Sequence, residues 1–158
     1  MYKRQCQGYD IKINDRVVYT PAPLFDEFSV ADEALHTCLA ETIDEYLITS
    51  VAQLTELNCS NAGIVSLDGL ATFTALVNVR LSSNQIRNLV ELGKLANLRE
   101  LYLDDNHIVD PVPLYQLQRL SYLDISDNPA LQCPRHNFPS TTTVLLPDHC
   151  SALSLANP

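Results

Sequence analysis

Apolar residues recur at fixed offsets along the middle of the chain. Leu54, Leu76, Leu98 and Leu120 are spaced by a constant step of 22, and each opens the pattern LxxLxLxxNxIxxLxxLxxL. The second copy fills every slot with Leu76, Val79, Leu81, Asn84, Ile86, Leu89, Leu92 and Leu95. The third has Leu98, Leu101, Leu103, Asn106, Ile108, Leu114 and Leu117, with Pro111 at a slot that is usually apolar. The first has Leu54, Leu57, Cys59, Ile64, Leu67, Leu70 and Phe73 but carries Ala62 in the asparagine slot. The fourth begins with Leu120, Leu123, Ile125 and Asn128 and breaks at Pro129. Degradation at both ends is what terminal capping of a repeat array produces.

In Leu-x-Leu the two leucines point to one face of a strand and the residue between them to the other. One such strand cannot bury its apolar face alone, so the copies must stack and share a core. The asparagine follows where the chain turns, and its amide suits otherwise unpaired backbone groups. Asn84, Asn106 and Asn128 are therefore expected to form an internal structural ladder. The Ile and Leu-x-x-Leu positions that follow bring the chain back through a short helical or 3₁₀ arc.

Residues 54 to about 131 resemble leucine-rich repeat proteins of the 22-residue type, the variety seen in bacterial internalins and phosphatase regulators. The resemblance implies an α/β solenoid with a parallel sheet on its concave side, a face usually used to bind another protein, and no enzyme. Upstream, "FSVADEALHTCLAETIDEYL" reads as an amphipathic helix, with Ser29 placed to cap it and Leu35, Cys38, Leu39 and Ile43 along one side. With the Leu-x-Cys of the first repeat, this segment is similar to the N-terminal cap of bacterial extracytoplasmic leucine-rich repeat proteins and lipoproteins. That likeness implies a Cys38–Cys59 disulfide across the end of the core; two reduced cysteines acting as small buried hydrophobes are the alternative.

At the other end, "DNPALQCP", a polar loop, "TTTVLL" and "PDHC" suggest a last strand held by Cys133 and Cys150. A disulfide there would contribute about 3 kcal/mol through the unfolded state. The rival is zinc held by Cys133, His136, His149 and Cys150, against which the adjacency of His149 and Cys150 counts. No metal is expected on balance. Cys6 is left over as a free or unassigned thiol, and the preceding "YKRQ" is no lipobox. After Cys6, Tyr9 to Thr20 alternates apolar residues around Asn14-Asp15, a hairpin pattern. The expected organisation is an extension over 1–28, a helical cap over 29–50, repeats over 51–131 and a C-terminal cap and tail over 132–158.

Composition narrows the function. The 158 residues carry a net charge of −9, from 19 acidic and 10 basic residues, so a nucleic-acid backbone would be repelled. No apolar run is long enough to span a bilayer. The start, "MYKRQCQGYD", lacks an apolar h-region, so either the protein is cytosolic or the chain begins after a removed leader. None of Gly-x-Ser-x-Gly, His-Glu-x-x-His or a phosphate-binding glycine loop is present, and neither catalysis nor a cofactor is expected. His107 falls in a repeat turn and His36 on the cap helix, both as solvated or packing residues. The acidic turns lack the oxygen-ligand spacing of a calcium site.

Binding is then expected on the strand positions the core does not consume. These are Glu56, Asn58 and Ser60; Asn78, Arg80 and Ser82; Glu100, Tyr102 and Asp104; and Tyr122, Asp124 and Ser126. Tyrosine and arginine dominate the energetic centres of interfaces, which singles out Arg80, Tyr102, Asp104, Tyr122 and Asp124 as the partner-binding set. The competing reading pairs Arg80 with Glu100 across neighbouring strands and leaves the tyrosines as ordinary sheet residues. The resulting expectation is a bacterial protein-binding scaffold, periplasmic, at the cell surface or secreted. The alternatives are a cytosolic regulator with reduced cysteines, or a subunit of an envelope assembly joined through its N-terminal extension.

Overall fold

The computed structural model describes residues 10–14, 16–19, 22–134 and 138–151. Cys6 and His136 lie outside the described residues. Strands β3 (Glu56–Asn58), β4 (Asn78–Arg80), β5 (Glu100–Tyr102), β6 (Tyr122–Asp124) and β7 (Thr143–Leu145) form one parallel sheet in sequence order. Before them, β1 (Ile11–Ile13) and β2 (Arg16–Tyr19) make a separate antiparallel pair. Each repeat returns over the convex side through a short turn of helix: a 3₁₀ turn at Leu70–Thr72, α2 at Val90–Gly93, and a 3₁₀ turn at Val112–Gln116.

The leucine pattern places the core. Leu76, Val79, Leu81, Ile86, Leu92, Leu95, Leu98, Leu101, Leu103 and Ile108 are all fully buried. Pro111 is buried as well, so the irregular slot of the third repeat is filled by proline rather than left open. The register advances by 22 residues through Glu56, Asn78, Glu100 and Tyr122, then by 21 to Thr143. That shortened last step seats β7 with Val144 and Leu146 against the end of the core.

The asparagines form the expected ladder, and it has a direction. Asn106 Oδ1 accepts from Ile86 N (3.0 Å), while its Nδ2 donates to Leu81 O (2.9 Å) and Leu103 O (3.1 Å). Asn84 serves Ile64 N and Cys59 O in the same way, and Asn128 serves Ile108 N and Leu103 O. Each asparagine thus satisfies backbone of the repeat before its own. Ala62 in the first repeat is explained: no earlier repeat needs its side chain. The residue preceding each slot, Asn61, Ser83, Asp105 and Asp127, has φ between 52° and 58°, the left-handed conformation that Asn and Asp tolerate best.

The cap helix α1 spans Glu33–Glu45, and its N-cap is Asp32, not Ser29. Asp32 is suited to more than capping. Its Oδ1 accepts from Leu35 N (3.0 Å), and its Oδ2 accepts from Val65 N (2.8 Å) and Ser66 N (3.0 Å), so one carboxylate ties the cap to the first repeat. Burial alone would raise its pKa, but backbone N–H groups of Ser66, Val65, Leu35 and Ala34 outweigh it and hold the carboxyl below its ordinary value. Ser29 instead lies in the stretch crossing Gly69, where φ is +95° and a Cβ would stand 2.2 Å from Ser29 O. Phe25 and Phe28 pack edge-on against Phe73, and His36 stacks on Phe28 at 5.0 Å.

Both ends are stapled. Cys38 bonds Cys59, and Cys133 bonds Cys150, with Cα separations of 5.8 and 5.2 Å. Cys59 points into the core and is 2% exposed.

Candidate functional site

Side chains at alternate strand positions leave the core and face the concave side. The register sets who meets whom: Arg80 opposes Tyr102, Tyr102 opposes Asp124, and Glu100 opposes Tyr122. Tyr102 and Tyr122 are therefore diagonal neighbours, a separation that aromatic side chains can bridge. Their ring centroids are 4.9 Å apart, at 37° between planes. The Arg80 guanidinium carbon lies over the Tyr102 ring, 4.1 Å from its centroid, and the Tyr102 hydroxyl donates to Glu100 Oε2 (3.3 Å). Arg80 stacks on tyrosine rather than pairing with Glu100, a contact worth about 0.5–1 kcal/mol at an exposed site.

Two carboxylates flank the rings, and each is oriented by a serine. Ser82 Oγ donates to Asp104 Oδ1, and Asp124 Oδ1 accepts from both Ser126 N (3.0 Å) and Ser126 Oγ (2.6 Å). Among the described residues no hydrogen bond is made to the second oxygen of either aspartate, which leaves both with acceptor capacity for an incoming group. Partial desolvation raises the pKa of the Tyr122 hydroxyl, with Asp124, Tyr102 and Asp104 adding to the rise and Arg80 opposing it. The phenol stays neutral and able to donate across the physiological range. The five residues Arg80, Tyr102, Asp104, Tyr122 and Asp124 are thus one connected patch, with Glu56 and Glu100 beside it.

A second feature extends the patch toward the N-terminal end. A cleft of about 670 Å³ opens between the C-terminal end of α1 and the first strands, lined by Tyr46, Gln53, Glu56, Asn58, Asn78, Arg80 and Glu100 among others. On its rim Tyr46 and Leu47 are 69% and 70% exposed. Leu47 also has φ of +53°, and Ile48 N donates to Ile43 O (3.0 Å), closing the helix with the bond that usually accompanies glycine at this position. The repeat pattern does not reach Tyr46 or Leu47, and only the two apolar residues at a helix end signal them in the sequence.

The rings of His36 and His149 make structural contacts, and His107 is tied in through its backbone. His36 stacks on Phe28, His107 N donates to Ile86 O (3.0 Å), and His149 Nε2 donates to Leu131 O (2.9 Å).

A family model described as Leucine Rich Repeat matches residues 97–117. The chain is 35% identical over 96 residues, 59% of its length, to leucine-rich repeat-containing protein 56 of Rattus norvegicus, of which it covers 17%. It is 38% identical over 80 residues, 49% of its length, to acidic leucine-rich nuclear phosphoprotein 32 family member A of Drosophila melanogaster, of which it covers 31%. Among solved structures it is similar to the Listeria monocytogenes internalin InlF, with TM-score 0.56 and 24% identity over 61% of this chain and 30% of that one. It is also similar to the functional domain of Listeria monocytogenes InlJ, which includes a cysteine ladder, with TM-score 0.59 and 26% identity over 72% of this chain and 26% of that one. The chain spans under a third of the length of each of these relatives. Proteins of this fold are generally scaffolds for protein interaction. The fold is a leucine-rich repeat solenoid with a 22-residue period, similar to that of the internalins and closed at each end by a disulfide.

Proposed function

We propose that the protein is a non-enzymatic scaffold that captures a protein partner on its concave face, centred on Arg80, Tyr102, Asp104, Tyr122 and Asp124. The observation that carries this reading is the contiguous Arg80–Tyr102–Tyr122 row between two serine-oriented aspartates, on a face the core does not use. Rigid tyrosines supply contact area at small entropic cost, and arginine and tyrosine are the residues that most often carry interface energy. Glu56, Glu100, Asp104 and Asp124 outnumber Arg80 there, so the matching partner surface is cationic, with association that slows as salt rises. The two disulfides support a location in an oxidising compartment, at the cell surface or secreted.

The test compares capture by the intact chain with capture by a Tyr102→Ala/Tyr122→Ala double variant and by a chain lacking residues 1–23. The concave-face reading expects loss with the double variant alone. Loss only on deletion would move the contact to the N-terminal extension, where Ile13 and Val17 are 60% and 49% exposed, and would favour the assembly-subunit reading. Alkylation of the unreduced, denatured chain tests the compartment: Cys6 alone should react, whereas five reactive thiols favour a cytosolic regulator.

A further inference from the structure

We propose that the C-terminal cap holds a redox-gated zinc site: once a dithiol reductant opens the Cys133–Cys150 bridge, both thiolates and the His149 imidazole bind one Zn²⁺, with water in the fourth position.

The geometry brings the ligands together despite their awkward sequence order. One ligand atom each from Cys133, His149 and Cys150 lies within 4.8 Å of the others. Zinc bonds of about 2.3 Å to sulfur and 2.0–2.1 Å to nitrogen put tetrahedral ligand atoms roughly 3.5–3.8 Å apart. Opening the S–S bond frees both thiolates, and the ligand atoms then need to shift by no more than about 1 Å to reach zinc's spacing.

The histidine is also prepared for the role. A carbonyl can only accept, so the bond to Leu131 O places the proton on Nε2 and the lone pair on Nδ1. An imidazole that binds metal through one nitrogen and donates to a carbonyl through the other is the usual supported ligand. Its position in the fold is telling. Tyr122 pairs with Thr143, and His149 follows Thr143 by the same six residues that separate Asn128 from Tyr122. Histidine thus occupies the register slot held by asparagine in the three preceding repeats, though its bond goes to Leu131 O rather than to the carbonyl the ladder would reach. Cys150 is 4% exposed while His149 is exposed, so solvent reaches the cluster at the histidine and can supply a water as fourth ligand.

The chemistry balances. The disulfide takes two electrons and two protons from the dithiol, giving two thiols and oxidising the reductant to its own disulfide. Zinc binding then releases both thiol protons. The cap has a staple in either redox state.

Cobalt(II) added to the reduced, metal-free chain is the probe. One equivalent should bind with a thiolate-to-cobalt charge-transfer band and tetrahedral visible bands, and the oxidised chain should show neither. Cys133→Ser should abolish the band, and Cys38→Ser should leave it intact. His149→Asn decides the matter if the cysteine variant fails to fold, because asparagine is the residue the register places at that slot. This variant should weaken cobalt binding by at least the roughly 10- to 100-fold typical of losing a supporting partner. No band in the reduced chain, a band undiminished in His149→Asn, or a band lost in Cys38→Ser would overturn the proposal.

Discussion

Asn84 and Asn106 both donate to the same carbonyl, Leu81 O, each at 2.9 Å. This sharing makes the energetic cost of the two residues non-additive in a calculable way. In Asn106→Ala, Leu81 O keeps Asn84 and Leu103 O keeps Asn128, so only Ile86 N–H is orphaned. One unsatisfied buried donor costs about 1–3 kcal/mol. In Asn84→Ala both Ile64 N–H and Cys59 O lose their partner, so the loss should be larger, about 2–6 kcal/mol. The double variant additionally strips Leu81 O of both donors. It should therefore be less stable than the sum of the singles by about 1–2 kcal/mol. Equilibrium urea unfolding followed by circular dichroism, with both disulfides intact, measures all four corners of the cycle. Additivity within about 0.5 kcal/mol, or a greater loss at Asn106 than at Asn84, would falsify the carbonyl-sharing account.

Other perturbations test the caps. Asp32→Ala should cost about 1–3 kcal/mol, since it removes an N-cap and two cross-element bonds. Because the folded pKa of Asp32 is lowered, its stabilisation is present above the ordinary value of 3.8 and is lost as pH falls through the folded value. Unfolding midpoints from pH 6 downward should show a shallower acid loss in the variant than in the parent, and parallel curves would refute the role. Gly69→Ala places a methyl group against Ser29 O at a φ of +95°. It should destabilise the chain by about 2 kcal/mol or more and raise amide exchange at Ala31, whose N–H bonds Asp68 O. Leu47→Gly should do the reverse, stabilising by about 0.5–1 kcal/mol because it relieves a left-handed leucine. If the cleft rim contacts the partner, the same change should weaken capture; unchanged stability would refute the backbone argument.

The parts of this molecule that obey one period were legible in advance. A step of 22 identified the inward leucines, the asparagine ladder and the outward residues, because a solenoid repeats its environment as it repeats its sequence. What departs from the period was not legible. Ser29 is a good N-cap by composition, yet Asp32 takes the role because its second oxygen has the Val65 and Ser66 amides to satisfy, a contact more than thirty residues away. The shortened step to β7 depends on the packing of Val144 and Leu146 against the last repeat, which no count along the chain reveals. Arg80 was within reach of both Glu100 and Tyr102; the register opposes it to Tyr102, and the charge settles on the ring face. Tyr46 and Leu47 belong to a helix end rather than a repeat, so their addition to the candidate surface required the fold.

The direction of the asparagine ladder has a consequence for how the chain matures. Translation delivers the N-terminal end first, yet Ile64 N–H stays unmatched until Asn84 has emerged, Ile86 N–H until Asn106, and Ile108 N–H until Asn128. Completion of each coil must lag one repeat behind the ribosome. A chain stalled partway would always end in a coil that its missing successor was meant to finish, leaving nascent intermediates with one exposed, adhesive end until the last cysteine arrives.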